Sequence, residues 1–148
     1  MDLVMSTSTD GIAWTAPQRI PTTDPAAQTH SLVPGLGVDH ATSGRTTRLA
    51  VVYYTMARSC EAGACPGLGV SIVTSGDGGR TWGAPERLNA VPMRLDWISE
   101  TGLGRMLADY LSVSFVNGRA IPVFALAAEV ELGQFRQAIF ARVPPARS

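Results

Sequence analysis

The residues best suited to chemistry are concentrated in one stretch, SGDGGRTW, which runs from Ser75 to Trp82. Within it the carboxyl group of Asp77 has the hydroxyls of Ser75 and Thr81 on either side, and such a group could act as a general acid. The same residue types are typical of a turn, because Asp and Ser side chains accept hydrogen bonds from nearby backbone N–H groups. The residues alone leave both interpretations open.

This stretch has a counterpart near the start of the chain. STDGIAWTAPQRI occupies residues 8–20, and SGDGGRTWGAPERL occupies residues 75–88. Both contain Ser-x-Asp-Gly, then Trp, then Ala-Pro-x-Arg and an aliphatic residue, and the first copy is one residue shorter before its Trp. Repeated units of this kind are typical of arrays and propellers.

The segments that position these residues are predicted to be β-strands. RLAVVYYTM is β-branched or aromatic at successive positions, which is typical of a strand covered on both faces. Asn117-Gly118 predicts a hairpin turn. The second strand of this hairpin contains Pro122, which has no N–H to donate, so we expect Pro122 at a sheet edge or a bulge. Helical periodicity is weak, so the fold class is all-β. The strand candidates lie within residues 48–56, 68–75, 110–127 and 137–143.

Composition excludes several kinds of partner. Arg and Lys together number 12, as do Asp and Glu, and no basic run indicates nucleic acid. No apolar run has the length of a membrane span. The two histidines, His30 and His40, lack the spacing of a zinc site, and no acidic cluster suits calcium. We therefore expect no metal and no cofactor.

The two cysteines indicate in which cellular or extracellular compartment the protein is expected. Cys60 and Cys65 flank a Gly/Ala-rich loop short enough to close a disulfide, although two free thiols are the alternative. A disulfide favours an extracellular or secreted protein. The N-terminus, MDLVMSTSTD, contains no signal peptide, and a chain lacking its natural start would reconcile the two observations.

The octapeptide resembles the Asp-box, or bacterial neuraminidase repeat, of sialidase-like proteins, whose pattern is Ser-x-Asp-x-Gly-x-Thr-Trp. We call residues 75–82 the second box and the degenerate copy at residues 8–14, which lacks one residue and the threonine, the first box. GRMLADYLSVSFVNGRAIPVFALA also resembles a blade start of this family, with Ala108 in place of a glycine. The matching box residues are Ser75, Asp77, Gly79, Thr81, Trp82, Ser8, Asp10 and Trp14.

This resemblance implies a partial β-propeller of about two to three antiparallel four-stranded blades, in which each box is the turn between the third and fourth strands. Residues 1–148 then form one domain, with a half blade at 1–22, a full blade at 30–90 and an incomplete blade at 106–143. Closed propellers need about 4–8 blades, so we expect a C-terminal portion of a longer protein. Its exposed blade edges would drive self-association or need the missing blades. The box tryptophans are expected in the core.

The resemblance also implies where chemistry would occur. Asp-boxes lie away from the catalytic centre, so Asp77 is not expected to be an acid. Sialidases use three arginines, a Tyr–Glu nucleophile pair and an aspartate, and the arginines cannot be assigned here as a set. Side chains at the starts of innermost strands would face the central cleft. The catalytic candidates are Arg105, Asp109 and Tyr110, with Glu100 or Asp96 to activate the tyrosine, and the substrate-binding candidates are His30 beside Ser31, and Trp97 as an exposed platform.

Two function classes follow from the resemblance. The first is a portion of an exo-alpha-sialidase-type glycoside hydrolase, with this chain alone inactive. The second is a non-catalytic propeller that serves as a scaffold for a glycan or a protein. Asp-boxes occur in both classes, so the motif does not decide between them. A small autonomous β-sandwich with two box-like turns is a third alternative.

Overall fold

A computed structural model describes residues 1–22, 28–62 and 65–143 of the protein. This part of the chain consists of β-strands in antiparallel sheets, with short 3-10 turns and no α-helix, which confirms the all-β prediction. The strands are β1 (Val4–Met5), β2 (Gln18–Arg19), β3 (Thr29–Val38), β4 (Leu49–Ala57), β5 (Leu68–Ser75), β6 (Glu86–Arg87), β7 (Glu100–Thr101), β8 (Gly104–Arg105), β9 (Ser112–Val116), β10 (Arg119–Glu131) and β11 (Gln134–Ala141).

The central sheet has four strands in the order β3-β4-β5-β6. Its second strand, β4, sends successive side chains to opposite faces, and both sets are buried. Val51 and Tyr53 pack on one face, while Ala50, Val52 and Tyr54 pack on the other. Each buried large apolar side chain contributes roughly 1.5–3 kcal/mol. The strand is therefore covered on both faces, as its sequence predicted.

One face of the central sheet is covered by the small β1–β2 sheet. The backbone N–H of Ile20 donates to the carbonyl of Leu3 at 2.9 Å, which continues the β1–β2 pairing. The Tyr53 hydroxyl donates to the Thr22 carbonyl at 2.6 Å, and burial raises the pKa of this phenol. We call this core the N-terminal cluster, and its buried members are Leu3, Ile20, Val51, Tyr53 and Val73.

The opposite face is covered by a three-stranded sheet in the order β11-β10-β9. Strands β3 and β9 approach so closely that a Cβ atom on Gly35 would lie 2.2 Å from the Leu111 carbonyl oxygen. A Cβ atom on Gly37 would similarly meet Val113, so glycine is required at both positions. The larger core forms here. Its buried members are Ala50, Val52, Tyr54, Val70, Ile72, Met93, Ile98, Leu111, Val113, Phe124 and Ala127.

The hairpin between β9 and β10 turns at Asn117 and Gly118, as predicted. Both residues have positive φ, at 50° and 72°, which a tight hairpin turn requires. The placement of Pro122 was predicted wrongly, because β10 is the middle strand of its sheet and not an edge. The Pro122 carbonyl accepts from the N–H of Arg142 at 3.1 Å, at the end of the β10–β11 ladder. An N–H at position 122 would also point toward β11, beyond the last ladder pair, Val123–Ala141. The proline therefore removes no hydrogen bond from the interior of the β10–β11 ladder.

Beyond β9, the backbone of β10 finds side-chain partners. The Tyr54 hydroxyl donates to the Ala125 carbonyl at 2.9 Å, and burial raises the pKa of this tyrosine to about 12. The Ala127 N–H lies 3.1 Å from the sulfur of Met93. These contacts satisfy a buried strand edge where β9 no longer pairs with it.

The structure also bears on the predicted disulfide, propeller, domain bounds and membrane spans. Cys60 and Cys65 form a disulfide, which is compatible with an extracellular protein. The described sheets close into neither a barrel nor a propeller. The expected domain, 1–148, includes residues 23–27, 63–64 and 144–148, which lie outside the described residues. No helix in the described part is long and apolar enough to span a membrane.

Candidate functional site

The second box is a turn that connects β5 to β6. The Ser75 hydroxyl donates to Asp77 Oδ1 at 2.9 Å and accepts from the Gly79 N–H, also at 2.9 Å. Asp77 Oδ1 accepts from the Thr81 N–H at 2.9 Å, and Oδ2 accepts from the Thr81 hydroxyl at 2.6 Å. Among the described residues, the side chains of Ser75 and Asp77 form hydrogen bonds only with groups of the turn itself.

The glycines of the second box permit this geometry. Gly78 and Gly79 have φ values of 74° and 85°, in the region that favours glycine. The Gly78 N–H donates to the Thr47 carbonyl at 2.8 Å, which fastens the box to the loop before β4. Gly79 is buried, and a Cβ atom there would lie 2.2 Å from Met5 Cε, in the segment before the first box.

Asp77 is held as a carboxylate by these donors. The Thr81 hydroxyl, followed by the Thr81 N–H, lowers the pKa of Asp77 from 3.8 to about 2. A general acid needs a pKa near the working pH, and this shift is in the opposite direction. Asp77 is therefore unsuited to donate a proton near neutral pH.

The first box repeats this pattern with one residue fewer. The Ser8 hydroxyl accepts from the Gly11 N–H at 2.8 Å, and Asp10 Oδ1 accepts from the Ala13 N–H at 2.9 Å. A second backbone donor, the Ile12 N–H, lies 2.8 Å from the same oxygen and lowers the pKa of Asp10 most. Ala13 stands where the second box has Thr81, so the side-chain bond to the second carboxylate oxygen is absent.

The two box tryptophans differ in burial. Trp82 is half-buried and packs against the N-terminal cluster. Trp14 is 63% exposed, so the expectation that it belongs to the core was wrong. The reason is the size of its sheet, because β1 and β2 have two residues each and together are too small to cover the Trp14 ring.

A cleft of about 840 Å³ lies between the two boxes. Trp14 forms part of its wall, together with Arg45 and Arg80, whose guanidinium groups form no ion pair with any described residue. Hydroxyls of the first box and the segment around it add polar groups. The apolar lining residues are Met5, Leu36, Val38 and Leu49.

Neither Arg45 nor Arg80 was predicted from the sequence as a binding residue. Arg80 occupies a variable position of the box, and Arg45 lies in a short Gly-Arg-Thr turn. The repeated motif was the sequence feature that could have pointed to this cleft. It predicted two similar turns, but it did not predict that the folded chain would place both turns beside the same cleft.

The three predicted catalytic residues lie on the segment that leads into β9. Arg105, Asp109 and Tyr110 are all exposed, and Tyr110 is 89% exposed. The Arg105 guanidinium donates to the Ile98 carbonyl at 2.7 Å. Within the described part of the chain, no hydrogen bond joins these three side chains to one another.

Neither carboxylate expected to activate the tyrosine contacts it. Asp96 forms a two-pronged ion pair with Arg94, at 2.9 Å and 2.6 Å, and this arginine lowers the pKa of Asp96. Glu100 is exposed on β7, opposite Arg105 of β8. Across residues 1–22, 28–62 and 65–143, no carboxylate accepts a hydrogen bond from Tyr110, so the predicted nucleophile pair is not assembled.

The predicted substrate-binding residues lie apart in the sequence and in different surroundings. His30 Nδ1 hydrogen-bonds the amino group of Met1 at the start of β3. Its neighbour Ser31 is buried and hydrogen-bonds the Thr22 hydroxyl at 2.7 Å. Trp97 is half-buried against the larger core, so it does not form the exposed platform that the sequence predicted.

Comparisons with known proteins do not assign the chain to a family. No family model, no curated protein and no solved structure matches it. Among the described residues, no group of three or more His, Cys, Asp or Glu side chains is placed to hold a metal ion.

Proposed function

We propose that the chain is a portion of a sialidase-like Asp-box propeller from an exo-alpha-sialidase-type glycoside hydrolase, inactive by itself. The observation that carries this proposal is the position of the second box. It joins the third and fourth strands, β5 and β6, of a four-stranded antiparallel sheet that has a further sheet on each face. This is the place that the resemblance implies for such a box.

The flanking sheets support the same proposal. The first box separates β1 from β2, which would be the outer two strands of a preceding blade. Strands β9, β10 and β11 follow one another as neighbours and would be the first three strands of the next blade. Arg105, Asp109 and Tyr110 precede β9 and would face the central axis.

Inactivity of the isolated chain follows from its chemistry. A tyrosine nucleophile needs an adjacent base, and Tyr110 has no carboxylate partner among the described residues. The resemblance also implies an aspartate, for which Asp109 is the candidate in this chain, and three arginines that cannot be assigned here as a set. The base and the missing arginines would have to come from other blades.

A fluorogenic sialoside tests this proposal. We expect no release by the isolated chain, and release by the protein that carries this chain together with its remaining blades. Tyr110→Phe in that larger protein should abolish turnover while Tyr53→Phe, whose hydroxyl lies in the core, leaves it detectable. Absence of turnover from a folded larger protein would contradict the hydrolase proposal.

A non-catalytic scaffold is the second candidate function, and the cleft between the boxes favours it. Trp14 offers an exposed aromatic face on which a sugar ring could stack, and Arg45 and Arg80, which form no ion pair with a described residue, offer cations for a carboxylate. An acidic oligosaccharide has both features. This cleft lies at the end of β3, away from His30 at its start.

Binding of sialyllactose and neutral lactose to the isolated chain tests the scaffold proposal. We expect the acidic sugar to perturb the NMR signals of Trp14 and to bind at least about tenfold more tightly than lactose. Arg80→Gln should remove this preference, and Arg119→Gln, outside the cleft, should leave it intact. Equal binding of both sugars would contradict it.

A further inference from the structure

The outer edge of β11 is the longest unpaired strand edge of the three-stranded sheet. Strand β11 has eight residues, and among the described strands it pairs with β10 alone. Natural edge strands are usually protected by lysines, prolines or bulges, and Gln134–Ala141 contains no lysine and no proline. Its single charged residue, Arg136, is paired with Glu131 of its own hairpin at 2.8 Å.

The backbone groups that point outward can be assigned. The N–H of Arg142 bonds the Pro122 carbonyl, so even-numbered residues of this strand direct their backbone groups toward β10. The backbone groups of Phe135, Gln137 and Ile139 therefore point to the open edge. Ile139 is 78% exposed and Phe135 is 47% exposed, so apolar side chains accompany this row of unpaired donors and acceptors.

We propose that this edge binds β11 of a second copy of the chain, in antiparallel pairing about a twofold axis at Gln137. An axis perpendicular to the sheet keeps each side chain on its own face, so paired residues have numbers of the same parity. Phe135 then lies opposite Ile139 of the second copy, and this apolar pair occurs twice. The result is one continuous six-stranded sheet.

Side-chain pairing favours this register over its neighbours. An axis at Arg136 would place the two copies of that arginine opposite each other, and their repulsion would be offset only by the Glu131 partner of each copy. An axis at Ile139 would oppose Arg136 and Arg142. An axis at Ala138 avoids both repulsions but opposes Ile139 to the polar Gln137. The axis at Gln137 opposes Arg136 to Ala138 and joins the two large apolar residues.

Sedimentation velocity of the full chain at micromolar concentrations tests the interface. We expect a species of twice the 15.6 kDa chain mass. Ile139→Lys should give the monomer, because it removes the apolar partner of Phe135 and places a lysine on the strand edge, which opposes edge-to-edge pairing. The matched control is Ile12→Lys, at a residue 87% exposed in the first box, which should still dimerise. A monomeric wild type, a series of larger oligomers, or equal loss in both variants would overturn the proposal.

Disulfide trapping tests the register without relying on Ile139→Lys. In the proposed pairing Arg136 and Ala138 of the two copies lie opposite each other, with Cα atoms about 4.5 Å apart, within the range of a disulfide. The double variant Arg136→Cys with Ala138→Cys should form a covalent dimer on mild oxidation. Ala138→Cys alone should stay unlinked, and its cross-linking would overturn the register. In the propeller proposal this edge would pair with the fourth strand of its blade, so the dimer is expected of the isolated chain only. A failure of the dimer would leave the propeller and scaffold proposals untouched.

Discussion

The two boxes use equivalent atoms for their hydrogen bonds, yet their surroundings differ. In each, a serine hydroxyl and an aspartate carboxylate accept bonds from backbone N–H groups two to four residues later. The second box joins two strands of a sheet covered on both faces. The first box joins two strands of two residues each, and its tryptophan is 63% exposed.

This difference shows that two turns can have the same hydrogen-bond geometry and still contribute unequally to the stability of the fold. The local sequence is sufficient to form the turn, because its donors and acceptors lie within a few residues of each other. Its contribution to folding depends on what lies beneath it. Gly79 is buried against Met5, whereas a Cβ atom on Gly11 would meet nothing within 4 Å. We therefore expect equivalent substitutions in the two boxes to have unequal effects.

The tryptophans should show the largest difference. Trp82→Ala removes a ring packed on the N-terminal cluster, and we expect it to lower the free energy of unfolding by about 3 kcal/mol. Trp14→Ala removes an exposed ring and should change stability by less than about 0.5 kcal/mol. Urea unfolding measures both values, with Ile139→Lys present in every protein so that association does not contribute. Equal losses in the two variants would contradict the expected difference between the boxes.

The serines should show an intermediate difference. Ser75→Ala leaves the buried Gly79 N–H without an acceptor, which costs roughly 1–3 kcal/mol. In Ser8→Ala, water can replace the lost acceptor because Gly11 is exposed, so we expect a loss below about 0.5 kcal/mol. The same urea titrations measure this pair. A larger loss of unfolding free energy for Ser8→Ala than for Ser75→Ala would contradict this expectation, because it would show that the exposed first box stabilises the fold more than the second.

The aspartates should show the smallest difference, and only in acid. The folded pKa of Asp77, about 2, lies below its ordinary 3.8, so the unfolded chain binds more protons between these values. The stabilising contribution is complete above pH 3.8 and is lost as the pH falls toward 2. Asp77→Asn should therefore flatten the decline of unfolding free energy over this range more than Asp10→Asn does. A steeper or unchanged decline would contradict this sign.

Local patterns predicted much of the fold. The apolar pattern of residues 48–56 predicted a strand covered on both faces, and β4 is such a strand. Asn117 and Gly118 predicted the hairpin because a tight turn requires positive φ at both positions. In each case the deciding interaction lies within a few residues, so the sequence contains it directly.

Long-range packing accounts for what the sequence could not predict. Pro122 is tolerated in a middle strand because its missing donor falls at the end of the β11 ladder. Trp14 is exposed because its sheet is too small to cover it, although its motif matches that of Trp82. Trp97 is half-buried because the loop before β7 packs on the larger core. The cleft with Arg45 likewise exists only after distant segments meet.

Hydrogen exchange of the box amides tests the central claim most directly, namely that only the second box is part of the covered sheet. The Gly79 and Thr81 amides donate within the second box, and the Gly11 and Ala13 amides donate within the first. We predict that the Gly79 amide exchanges at least about 100-fold more slowly than the Gly11 amide, because it opens only with the sheet. Equal protection of the two amides would contradict the claim.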